Sequence, residues 1–172
     1  MKDQAAAMSR HIKAWRVPVR KGEGQRALSE VVTKASEHGV QVLVLRAEMV
    51  FGLDHLRAAY CHAKDAIDSG RGASDSISME TLLYASGERQ LGAAIKKMSV
   101  DDSTQEMVVA WLGENGLEPA HGWIALSDAD TGPSIESLKK FGISELELRT
   151  VVPGREAELI LEKVAAVDVL KK

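Results

Sequence analysis

Ser78-Met-Glu-Thr-Leu-Leu-Tyr-Ala-Ser-Gly-Glu-Arg-Gln-Leu-Gly-Ala-Ala-Ile-Lys-Lys-Met98 is the stretch on which the fold turns. Met79, Leu82, Leu83 and Ser86 recur at helical spacing, and Leu91, Ala94, Ile95 and Met98 do so again. Between the two sets lie Gly87 and a polar run, Glu88-Arg89-Gln90. Gly costs roughly 1 kcal/mol inside a helix and is at home just past a helix end. The pattern therefore predicts two amphipathic helices broken at Gly87, the second starting near Glu88 and the first capped by Ser76 or Ser78. The unpaired N–H groups and positive dipole end of that second helix would lie beside Arg89, which suits an anion.

Outward from this pair, the chain alternates strands and helices. His11–Val17 reads as a strand stopped by Pro18. Leu28, Val31, Val32 and Ala35 mark a helix closed at Gly39, and Val40–Leu45 reads as a central strand, β-branched and continuously apolar. Leu53–Ser69 is a helix whose inner face is Leu56, Ala59, Tyr60, Ala63, Ala66 and Ile67. On the C-terminal side, Glu106–Leu112 is a strand and Trp123–Leu126 a short edge strand. Ser134 caps a helical turn to Phe141, both periods fit Ile143–Val151, and Arg155–Leu170 is a final helix with Ile160, Leu161, Val164 and Val167 inward. The expected fold is a single mixed α/β (α+β) domain over residues 1–172, a small mixed sheet packed with helices and without clean βαβ repetition.

The 172 residues suffice for one real core. A net charge of −3 excludes a polyanion binder by bulk electrostatics, so any nucleic-acid contact must use a local patch. The single cysteine, Cys61, excludes an intrachain disulfide, and the start Met-Lys-Asp-Gln-Ala-Ala-Ala-Met carries no apolar core of signal-peptide length. These features predict a soluble, cytoplasmic protein.

No catalytic constellation emerges from spacing. His55 and His62 lie seven residues apart, roughly 10 Å along a helix, too far for one ion. Gly22-Glu23-Gly24 follows a strand and precedes a helix but lacks the remaining residues of a dinucleotide or Walker loop. It supports an alternative reading, a small α/β enzyme binding a phosphorylated ligand, against that of a plain connector. Asp128, Asp130 and Thr131 resemble part of a calcium loop without its sixth-position Gly and closing Glu, and read as a solvated turn. What remains is Lys64, Arg71, Arg89 and Gln90. If the helix ending at Gly70 packs beside the broken pair, these groups share a surface that reads either as a local phosphate site or as a solvated polar face.

The segment Ile77–Met98 closely resembles the signature of the kinase-binding (TPRKB-like) subunit of the KEOPS tRNA-modification complex, in its archaeal form. Phe51-Gly-Leu-Asp-His-Leu-Arg-Ala-Ala59 is similar to that family's Gly/His/Leu/Ala helix start, and Leu159–Leu170 to its C-terminal helix. Ser99 stands where the family usually has Gly. The resemblance implies a non-catalytic subunit with no cofactor. It implies binding to the N-lobe of the Bud-type kinase, used as an ATPase, with stimulation of that subunit. It further implies capture of the 3′ CCA end of tRNA for threonylcarbamoyladenosine (t6A) formation by the TsaD-like subunit, reached indirectly through the kinase. On this footing Lys64, Arg71, Ser86, Arg89 and Gln90 are the expected RNA-binding residues, and Val167 and Leu170 on the C-terminal helix the expected kinase contacts.

Overall fold

The structure, a computed structural model, describes residues 12–128 and 133–171. His11, Asp130 and Thr131 lie outside the described residues. In chain order the elements are β1 (Ile12–Pro18), α1 (Gly24–Glu37), β2 (Gln41–Arg46), a 3-10 turn (Ala47–Met49), α2 (Leu53–Asp68), α3 (Ile77–Ser86), α4 (Leu91–Met98), β3 (Glu106–Leu112), β4 (Ile124–Ala125), α5 (Ile135–Phe141), α6 (Glu145–Leu148) and α7 (Ala157–Leu170).

The strands form one sheet in the order β2-β3-β1-β4. Every ladder is antiparallel, where a mixed sheet was expected. β1 and β2 run the same way, but β3 is inserted between them, so the β1-α1-β2 crossover is split and its strands never pair. This corrects a second expectation. β3, not β2, is the central strand, and β2 stands at the sheet edge. Both strands carry a continuous apolar run, residues 42–45 and 107–112, because helices cover both faces of the sheet, and coverage of faces says nothing about neighbours in the ladder.

Period-two alternation sorts the strand residues into two cores. Ala14, Leu43, Leu45, Val108, Ala110 and Leu112 face the larger one, shared with α2, α3, α4 and α7. Val17, Val44, Met107, Val109 and Trp111 face the smaller one, beneath α1 and the Trp15–Trp111–Trp123 cluster. Together they make a single α+β domain.

The most central helix is α3. Its residues from Glu80 to Ser86 are all buried, so it is enclosed all round and not amphipathic as the periodicity suggested. Ser76 caps it, its hydroxyl accepting from the Met79 N–H. In α7, Leu159 is buried with Ile160, Val164 and Val167, while Leu161 turns partly outward. The ambiguous segment resolves into the short α6, held by a capping box between Ser144 and Glu147.

The Gly22–Gly24 loop is a packing device. A Cβ on Gly24 would lie 1.8 Å from the Asp101 carbonyl oxygen, so only Gly allows this approach. The first turn of α1 already has its anion, because the Gln25 N–H donates to Asp102 Oδ1 at 3.0 Å. That N–H, one of the donors a phosphorylated ligand would use, is engaged by a carboxylate of the chain itself.

Candidate functional site

The junction between α3 and α4 is built from the end of a buried helix. An α-helix leaves its last carbonyls without intrahelical partners. Here two side chains from elsewhere take them. His55 Nε2 donates to the Ala85 carbonyl at 2.8 Å, and its Nδ1 accepts from the Phe51 N–H at 3.2 Å. Lys97 Nζ donates to the Ser86 carbonyl at 2.6 Å, pairs with Glu88 at 3.2 Å and lies 3.8 Å above the Phe141 ring centre. Burial pushes His55 down to about 4, against the Ala85 hydrogen bond and with help from the Lys97 charge, so the ring is neutral. Burial also lowers Lys97, against its pairing with Glu88. In the sequence His55 stands out only as half of a pair with His62 too widely spaced to share an ion, and Lys97 does not stand out. The available signal for Lys97 was its place in the last turn of an amphipathic helix, beside a helix break.

Gly87 ends α3 with a φ of 68°, and a Cβ there would lie 3.1 Å from Lys163 Cβ on α7. The break is therefore where it was expected, but α4 begins at Leu91 with Gln90 as its extended N-cap, three residues after Glu88. Between the left-handed Gly87 and α4 lies a short bent run, residues 88–90, whose last residue is extended and whose start is held by Lys97 through Ser86 and Glu88. Within that run Arg89 and Gln90 are exposed, and neither forms an ion pair or side-chain hydrogen bond among the described residues. Ser86 is different. It is 0% exposed, donates to the Leu83 carbonyl at 2.7 Å and accepts from the Glu88 N–H at 3.1 Å. Its expected role in contacting RNA is withdrawn, because the last turn of an enclosed helix has no outward position.

Lys64 and Arg71 sit elsewhere. Lys64 pairs with Asp68 at 3.2 Å on the exposed face of α2. Arg71 donates to Ser69 Oγ at 2.9 Å and lies 4.0 Å from Asp168 of α7. Asp168 also accepts from Tyr84 and, at 2.7 Å, pairs with His62, whose ring stacks on Tyr84. Burial works to raise the Asp168 carboxyl, but these hydrogen bonds and the His62 and Arg71 charges hold it below the ordinary value. Burial and the Asp168 carboxylate push the Tyr84 phenol well up. The network continues through Lys171, which pairs with the fully buried Glu80; that carboxylate also accepts from the Ala73 and Ser74 N–H groups at 3.0 Å each. The Arg71 loop is thus pinned to α3 and α7.

These contacts give the spacing of the cationic groups. Lys163 borders Gly87 while Lys171 reaches Glu80, so α7 runs antiparallel to α3 and the two ends lie about 12 Å apart. Arg89 and Gln90 belong to one end and Arg71 lies toward the other. The structure does not gather them around one small anion.

On α7, Val167 is 0% exposed and belongs to the core, so its expected role as a kinase contact is withdrawn. Helical spacing sends Leu170 outward at 47% exposure, with Val169 beside it at 69%. His55 and His62 point to different partners. Among the described residues, no group of three or more His, Cys, Asp or Glu is placed to hold a metal ion, and no helix is long and apolar enough to cross a membrane.

A family model described as kinase binding protein CGI-121 matches residues 25–146, well over half of the chain. The chain belongs to that family. The matched region runs from α1 into α6 and contains the whole α3–Gly87–α4 stretch, on which the resemblance to the TPRKB-like subunit rests. A search of curated proteins found no match. Lys163 on α7, Lys171 at its C-cap, and the exposed pair Val169 and Leu170 lie beyond the matched residues of this CGI-121 family member.

Proposed function

We propose that this chain is a non-catalytic, cytoplasmic KEOPS subunit, acting as one domain over residues 1–172. It binds the Bud-type kinase used as an ATPase, stimulates it, and recruits tRNA through its 3′ CCA end for t6A formation. The TsaD-like subunit is reached through the kinase. Membership of a family described as kinase-binding supports the kinase partner. The observation that carries the RNA reading is the exposed, unpaired Arg89–Gln90 pair, held on a rigid turn by Gly87 and Lys97.

In this reading Arg89 and Gln90 contact one part of an extended single strand, and Arg71 and Lys64 another. An extended strand suits cations spread along α3 better than one phosphate does, because each contact adds its own counterion release. The kinase contact uses Leu170 with Val169, an apolar pair that the fold leaves uncovered.

Arg89→Ala tests the RNA site. It should weaken tRNA binding by about 1 kcal/mol, roughly fivefold, and reduce the slope of log affinity against log salt by about one. A tRNA lacking its CCA end should bind the wild type poorly and respond little to the substitution. Unchanged affinity of the variant for intact tRNA rejects the site. A pull-down with the kinase separates the two halves of the proposal: Leu170→Glu should lose kinase and keep tRNA.

A further inference from the structure

β2 ends the sheet, and the edge it presents is unusual. Its backbone bonds β3 on one side. Among the described residues, no backbone group of β2 bonds to main chain on the other side. Exposed edges are normally blunted by Pro, by Lys, by a bulge or by a covering segment. Gln41–Leu45 contains no Pro and no charge. The single charge of the strand, Arg46, is at its far end and is turned aside to the Ser99 carbonyl and Asp101.

The edge is also the floor of a groove of about 530 Å³. Leu28, Val32 and Ser36 of α1 form one wall; Met79 and Leu82 of α3 and Ile95 of α4 form the other. No charged side chain lines it. Val32 and Ile95 stand at its two walls with 43% and 39% of their surface exposed.

We propose that this groove accepts an extended, uncharged, β-branched peptide segment of a partner protein, added as a fifth strand beside β2. The free N–H and C=O groups select an extended backbone over a helix, whose own groups are already paired. Side chains of an added strand point alternately to the two sheet faces, so they would meet the α1 wall and the α3/α4 wall in turn. Both walls are apolar or uncharged, so both sets of side chains must be too. A second copy of this chain fits poorly, because its β2 arrives with helices on both faces and these meet walls already standing on both faces. A bare segment meets no such obstacle. None of Arg89, Gln90, Val169 and Leu170 lines the groove, so the proposal does not rest on the RNA or kinase contacts.

The test uses the full chain and a capped, uncharged peptide, Thr-Val-Thr-Val-Thr-Val-Thr, with a control carrying Pro at its central Val. Amide spectra of the protein are recorded through a titration, with hydrogen exchange measured at saturation. The β2 amides facing away from β3 should slow by about tenfold or more with the first peptide and stay unchanged with the second. Val32→Glu changes an exposed wall residue and should weaken peptide binding about tenfold while leaving tRNA binding as it was. Equal binding of the Pro control, or shifts confined to another surface, overturns the proposal. So does protection of the same amides by raising protein concentration without peptide, since that assigns the edge to a second copy.

Discussion

His55 shows how one side chain ties two segments together. It bonds the Ala85 carbonyl and the Phe51 N–H at once, and it can do so only as the neutral ring with its proton on Nε2. Protonation would turn the Nδ1 acceptor into a donor facing an N–H. Its folded value of about 4 lies below the ordinary 6.5, so between these values the unfolded chain holds the extra proton. Stability from this residue is therefore complete above about pH 6.5 and declines as pH falls through about 4, by roughly 3 kcal/mol in all. Urea denaturation between pH 7.5 and 4.5 should show this decline. His55→Met, of similar bulk, should be less stable at pH 7.5 but lose less of its stability on acidification. The sequence placed His55 on α2 and excluded a shared metal site with His62, but its partner lies thirty positions away and could not be read from it.

The α3 terminus shows the same limit for a whole element. Its stop at Gly87 was legible, since Gly is the residue that adopts a positive φ without strain. Its enclosure was not, because Glu80 and Thr81 fall outside the set Met79, Leu82, Leu83 and Ser86 and read as an outer face until α2, α4 and α7 closed over them. Gly87→Ala should cost about 1–2 kcal/mol for the left-handed backbone and more for the Lys163 contact. Gly39 provides a reference: its φ is 65° but a Cβ there meets nothing within 4 Å. Melting curves should therefore rank Gly87→Ala below Gly39→Ala. Equal losses would mean that α7 yields at Lys163 without cost. The start of α4 was misread by three residues for a related reason. Helical spacing identifies the apolar face, but the turn that precedes it depends on what holds it, here Lys97 through Ser86 and Glu88.

Across the molecule, α7 is held by apolar contact along its length, by the Lys163–Glu147 pair at 2.6 Å, and by a buried charged clasp at its end. Lys171 pairs with Glu80, and the Asp168 cluster stands one turn before it. Removing one partner of a buried pair leaves the other uncompensated. Lys171→Met should lower stability by about 3 kcal/mol and speed amide exchange first in the last turns of α7 and in the Arg71 loop. Adding Glu80→Gln to that variant should restore part of the loss, because no buried charge then remains. A double variant no better than Lys171→Met would show that the two backbone N–H bonds to Glu80, not its charge, dominate. Because the clasp also positions Arg71, the first variant should weaken tRNA binding in the proposed site before it unfolds the chain.

Local rules were enough for most element types, the break at Gly87, a Ser cap on α3 (Ser76 or Ser78), the cap at Ser134 and the mixed α/β (α+β) class, because each depends on neighbours within a few positions. The family resemblance was legible for the same reason: it rests on one contiguous stretch, and the match over residues 25–146 includes it. Strand order was not local. Val40–Leu45 and Glu106–Leu112 read alike, and only the insertion of β3 between β1 and β2 made one central and left the other with a free edge. The burial of Ser86 and Val167 and the separation of Arg71 from Arg89 followed from how α7 lies along α3. Those outcomes depend on contacts between residues far apart in the chain, and no window of sequence contains both partners.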